Sequence, residues 1–119
     1  MPATTTNPTD DFVPVCLVDD LEENLGSAVL LDDGTQIALF RCDAAVYAVS
    51  NIDPYMGAAV ISRGIVGDYD GEPTIASPLL KQRFRLTDGR SLEDDSHILT
   101  TYRVEIRDVD GTARVLLAD

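Results

Sequence analysis

Ala76-Ser77-Pro78-Leu79-Leu80-Lys81-Gln82-Arg83-Phe84-Arg85-Leu86-Thr87-Asp88-Gly89-Arg90 is neither a plain strand nor a plain turn. It opens as a loop at Ser77-Pro78 and closes at an Asp-Gly turn, with arginines alternating about Phe84 in the period of a short strand with one wet face. A second stretch of the same kind, Ser50-Asn51-Ile52-Asp53-Pro54-Tyr55-Met56-Gly57-Ala58, leaves a strand ending at Val49 for a long loop. Asp53 before Pro54 reads as an Asx-type turn residue rather than a general acid. Two long loops standing among short strands are the feature around which the rest of the chain is read.

Outside the loops the pattern is that of hairpins. Asp33-Gly34, Asp70-Gly71, Asp88-Gly89 and Asp110-Gly111 can each supply the positive φ angles of a tight turn. Ala28 to Leu31 and Gln36 to Phe40 flank the first of them, and Val46 to Val49 follows, which predicts a three-stranded meander. Tyr102, Val104 and Ile106 alternate with Arg103, Glu105 and Arg107, and Asp110-Gly111 turns this strand back through Ala113 to Leu117. Phe12 to Val18 supplies another strand, with Pro14 pointing to a sheet edge. Helix is expected only over Asp19 to Leu25, closed by Gly26, with a turn around Gly57 to Ser62. The predicted class is all-β, a sandwich or small barrel of antiparallel sheets with the two long loops at one tip. Residues 1–11 are expected to form a flexible N-terminal tail and residues 12–119 a single domain.

The chain has 119 residues, and its net charge of −12, from 21 acidic and 9 basic side chains, argues against nucleic acid and against an anionic membrane surface. No apolar run approaches the roughly 20 residues of a membrane span, and no signal peptide fits, so a soluble cytoplasmic protein is expected. The charge is uneven: eight acids fall between Asp10 and Asp33, while Lys81, Arg83, Arg85 and Arg90 hold four of the nine basic residues. That basic stretch reads either as a solvated strand face or as a patch for an acidic partner. Cys16 and Cys42 read as buried free thiols rather than a disulfide. The single histidine, His97, excludes any site needing two imidazoles. Its neighbours Asp94, Asp95 and Ser96 form a local cluster that reads as a solvated turn rather than a catalytic triad.

The two loops resemble the cluster-binding loops of Rieske iron–sulfur domains. Family members carry Cys-x-His in the first and Cys-Pro-x-His-Gly-x-x-Phe, followed by a Thr-Gly turn, in the second. Ser77-Pro78-Leu79-Leu80, Phe84 and Asp88-Gly89-Arg90 keep the frame of the second, but Asn51, Asp53, Ser77 and Leu80 stand where the four ligands would be. An amide, a hydroxyl and a leucine cannot replace two thiolates and two imidazoles. With Asn51 to Pro54, Ser62-Arg63-Gly64, Ile65 to Asp68 and Ser77 to Gln82, the chain closely resembles the small subunits of assimilatory NAD(P)H-dependent nitrite reductases over residues 12–117.

That resemblance implies an accessory, cluster-free chain that binds a large catalytic subunit. The large subunit would hold FAD, siroheme and an iron–sulfur cluster, and reduce nitrite to ammonium. No catalytic, cofactor-binding or metal-ligating residue is then expected here. Two roles for the loops stay open: Ile52, Tyr55, Leu79 and Leu80 fill the space the cluster once took, or Tyr55, Met56, Leu79, Leu80 and Lys81 form an apolar docking patch rimmed by charge. Alternatives from other classes are a stand-alone interaction or regulatory module and a Rieske-type electron-transfer ferredoxin, the latter requiring the missing ligands.

Overall fold

A computed structural model describes residues 12–43, 45–79, 81–93 and 96–118. Leu80, Asp94, Asp95 and the expected tail 1–11 lie outside the described residues. Nine strands follow one another: β1 Val13–Leu17, β2 Gly26–Leu30, β3 Gln36–Cys42, β4 Ala45–Ser50, β5 Ile65–Tyr69, β6 Glu72–Ala76, β7 Arg83–Arg85, β8 Thr101–Val109 and β9 Thr112–Ala118. They form a six-stranded sheet in the order β1-β9-β8-β4-β3-β2 and a three-stranded sheet β5-β6-β7. All named strand pairs are antiparallel.

β3 explains how the sheets pack. Ile37, Leu39, Ala38 and Phe40 are all fully buried, because the two faces of this strand meet two different apolar clusters. Ala38 and Phe40 join Val49, Ile61, Ile75, Phe84, Leu86 and Leu99, against the three-stranded sheet. Ile37 and Leu39 join Leu21, Val46, Ala48, Val115 and Leu117, within the curl of the larger sheet. A strand buried on both faces reads as a continuous apolar run, which is what Ile37 to Phe40 shows.

The predicted meander β2-β3-β4 is present, and Pro14 does lie on an edge strand, β1, which pairs only with β9. Asp70-Gly71 and Asp110-Gly111 both adopt positive φ at consecutive residues and join β5 to β6 and β8 to β9. The helix expected over Asp19 to Leu25 does not form; a single 3₁₀ turn, Val18–Asp20, takes its place. Four acids without a basic partner repel one another in a helix. The segment is instead tied to β3: Asn24, at φ 63°, donates its N–H to Arg41 O at 2.8 Å, and Arg41 Nη1 donates to Leu21 O at 3.3 Å. Gly26 is the start of β2 rather than a helix stop, and a Cβ there would sit 2.2 Å from Ser62 O. The expected turn around Gly57 to Ser62 appears as a 3₁₀ turn at Ile61–Arg63. Among the described residues no helix is long and apolar enough to cross a membrane.

Cys16 in β1 and Cys42 in β3 are free, half-buried thiols. Burial, and then the nearby Asp20, raises the Cys16 thiol above its ordinary range; burial, then Asp43 and Glu23, does the same for Cys42. Only the thiolate reacts, so both should be poorly nucleophilic at neutral pH. We expect iodoacetamide at pH 8 to label the folded protein several-fold more slowly than the urea-unfolded chain. Because the folded state favours the protonated thiols, their contribution to stability is present below the unfolded thiol pKa and is lost as pH rises through the raised folded values. Equal labelling rates in the two states would contradict this.

Candidate functional site

The first loop runs from the end of β4 to the Ile61–Arg63 turn, and the second joins β6 to β7. Asn51, Asp53 and Ser77 are all buried in them. Asn51 Oδ1 accepts from Ser62 N at 2.7 Å, while its backbone donates to Gln36 O and accepts from Ile61 N. Asp53 Oδ1 accepts from Tyr55 N at 2.8 Å, the Asx turn read from the sequence. Its other oxygen, Oδ2, accepts a short hydrogen bond from Ser77 Oγ. Ser77 Oγ also accepts from Leu79 N at 3.4 Å, and Ser77 N donates to Gln82 O at 2.9 Å. The Asp53–Ser77 bond therefore joins one loop to the other.

A third segment completes the tip. The His97 ring stacks on Tyr55 at 3.8 Å between centroids and 16° between planes. Tyr55 also packs against Phe84 at 5.8 Å, and its hydroxyl lies 2.7 Å from Ser91 Oγ. His97 Nδ1 is 3.0 Å from Ser96 Oγ. The sequence places His97 outside both loops, and there it stays along the chain; the backbone pairings Arg90–Ile98 and Leu99 N to Gly89 O bring it across. No local pattern signals this contact.

These donors do not suit a Rieske cluster. The side-chain oxygens of Asn51, Asp53 and Ser77 are committed to hydrogen bonds within the loops, and none is a thiolate or an imidazole. The only imidazole is flat against Tyr55, and Cys16 and Cys42 lie on strands of the larger sheet, not in the loops. Among the described residues no group of three or more His, Cys, Asp or Glu side chains is arranged to hold a metal ion. On the outside of the tip, Ile52, Met56 and Leu79 are exposed, the last at 43%. Ile52 and Leu79 therefore face solvent rather than filling the space between the loops, which Tyr55 does in part from below.

Residues 11–115 match the model of the Rieske-like [2Fe-2S] domain family. The chain is also 42% identical over 96 residues to the nitrite reductase (NADH) small subunit of Escherichia coli K12, covering 79% of this chain and 88% of that one. It belongs to the nitrite reductase small-subunit family. The solution structure of the nitrite reductase [NAD(P)H] small subunit from Erwinia carotovora superimposes with a TM-score of 0.72 at 40% identity, covering 93% of this chain and 85% of that one. A longer relative is informative in another way. The large subunit of Klebsiella oxytoca nitrite reductase [NAD(P)H] is 38% identical over 99 residues, 83% of this chain but only 10% of that protein. In that relative a small-subunit-like segment is part of the large chain itself.

Proposed function

We propose that this protein is the accessory small subunit of a cytoplasmic NAD(P)H-dependent nitrite reductase, binding the large catalytic subunit and holding no cluster of its own. The observation that carries the reading is the Klebsiella oxytoca relative, in which a segment like this chain is covalently part of the large subunit. A segment joined in one protein and separate in another is expected to contact the same neighbour in both. FAD, siroheme and an iron–sulfur cluster would then lie in the partner, where nitrite is reduced to ammonium. This chain's own contribution is a rigid surface, since Asp53, Ser77, Tyr55 and Ser91 lock the loops from beneath and leave Met56 and Leu79 outside.

The exposed tip of Met56, Leu79 and Lys81, with half-buried Tyr55 beneath them, is the surface we assign to docking, with Leu80 beside them in sequence. Apolar side chains rimmed by charge have the composition of an interface centre. Replacing Leu79 and Lys81 together by Asp would place like charges in a desolvated contact. The double variant is expected to lose co-purification with the large subunit, while its thermal midpoint stays within a few degrees because both residues are exposed. Undiminished co-purification would remove the tip from the interface. Iron analysis of the isolated chain tests the cluster-free part: less than a tenth of an equivalent per chain is expected, and stoichiometric iron would overturn it.

A further inference from the structure

A cleft of about 490 Å³ opens between the end of β5 and the segment following β7, lined by Tyr69, Arg85, Arg90, Ser91, His97 and Ile98 among others. Its charge departs from that of the chain. Phe84 points into the core, so Arg83 and Arg85 take the opposite face of β7. The Asp88-Gly89 turn then folds Arg90 back, with Arg85 N donating to Arg90 O at 2.9 Å. Two guanidiniums are thereby held at one opening.

Among the described residues one carboxylate, that of Asp88, is shared between them. Asp88 Oδ2 lies 4.0 Å from Arg85 Nη1 and 3.9 Å from Arg90 Nε, beyond hydrogen-bond distance from either. Arg85 Nε is buried and, among the described residues, has no hydrogen-bond partner. Arg83 is engaged elsewhere, at 3.0 Å from Glu93 and over the Tyr69 ring. Among the described residues the cleft therefore holds two guanidiniums against one carboxylate, in a chain of net charge −12. It also keeps one donor, Arg85 Nε, already removed from water but unsatisfied, which is where an added acceptor gains most. Ile98 and Tyr69, 59% and 47% exposed, give it an apolar rim that excludes water once covered.

We propose that this cleft receives a carboxylate side chain, Asp or Glu, presented by the large nitrite reductase subunit. The proposal rests on the docking reading above. Guanidinium forks match carboxylates in shape as well as charge. A protein-borne carboxylate fits better than a free anion, because the net negative charge repels mobile anions, whereas a group on a docked chain arrives at high local concentration. The stack of His97 on Tyr55 makes the cleft continuous with the tip, so one partner surface covers both.

The test uses the full chain and its large subunit. Arg85→Gln/Arg90→Gln is expected to weaken the complex roughly tenfold at physiological salt and to flatten the dependence of Kd on ionic strength. Arg103→Gln/Arg114→Gln removes the same charge from β8 and β9 and should change Kd less than twofold. Equal weakening by both pairs, or none by the first, overturns the proposal while leaving the docking reading intact. Should the wild-type chain not bind the large subunit at all, the docking reading and the named partner fail together. The cleft itself is then read by nitrogen-15 NMR of the arginine Nε–H groups during titration with a capped tetraglutamate peptide. Saturable shifts confined to Arg85 and Arg90 support a carboxylate receptor, and no shift or uniform shifts overturn it.

Discussion

Asp53→Ala is expected to lower stability by about 3–4 kcal/mol, a large share of the 5–15 kcal/mol typical of a domain. Both Asp53 oxygens accept hydrogen bonds in a fully buried place, one from Tyr55 N and one from Ser77 Oγ. Alanine leaves those two donors buried without acceptors, at about 1–3 kcal/mol each, and opens a cavity between the loops. A fall in midpoint of about 12 °C or more should follow, at roughly 4–8 °C per kcal/mol for a small domain. Asp53→Asn keeps one acceptor and the shape, and the Ser77 hydroxyl can turn to accept from the new amide, so about half the loss is expected. Ser77→Ala should cost about 2 kcal/mol, and the double variant less than the sum, with a coupling of at least about 1 kcal/mol. Strict additivity of the two changes would mean that the loops are not held by this bond. This chain joins its two loops through a carboxyl and a hydroxyl.

This link between the loops is half visible in the sequence. The frame residues Pro54, Pro78, Phe84 and Gly89 mark the loops, and the residues at 51, 53 and 77 offer neither a thiolate nor an imidazole. That Asp53 and Ser77 meet is not visible, because it depends on how β4 and β6 are brought together by burial of Val49, Ile75 and Phe84 in one cluster. The hairpins are legible since Asp-Gly acts through local φ preference alone. The Asp19 to Leu25 segment misleads for the opposite reason: its Leu21 and Leu25 spacing suits a helix, but Arg41, far along the chain, captures Leu21 O and the Asn24 N–H instead. His97 belongs with this class. Its neighbours in sequence are polar, so it reads as part of a solvated turn, yet long-range pairing sets it on Tyr55 and at the mouth of the arginine cleft. Side chains whose role is set by a neighbour on another strand are those that local pattern leaves unread.

Gly89→Ala should be still more damaging than the loss of Asp53. Gly89 has φ +77°, and a Cβ there would lie 1.8 Å from Leu99 O and 2.9 Å from Leu99 C, both backbone atoms that cannot swing aside. The left-handed conformation alone costs alanine about 1–2 kcal/mol. Relieving the overlap requires the Asp88-Gly89 turn to part from the segment at Leu99, which breaks the 2.8 Å bond from Leu99 N to Gly89 O. It also disturbs the packing of Phe84, Leu86 and Leu99 on either side. A loss above about 4 kcal/mol, within reach of unfolding the chain, is expected. Gly34→Ala is the matched control. Gly34 has φ +92°, but no atom lies within 4 Å of the place its added methyl group would take, so only the conformational cost remains and the loss should stay near 1–2 kcal/mol. Denaturant titration of the two variants therefore separates backbone strain from collision. Comparable midpoints would show that the turn and the Leu99 segment are not in fixed contact, and the positions of Arg90 and His97 beside them, on which the cleft and its link to Tyr55 depend, would no longer be defined.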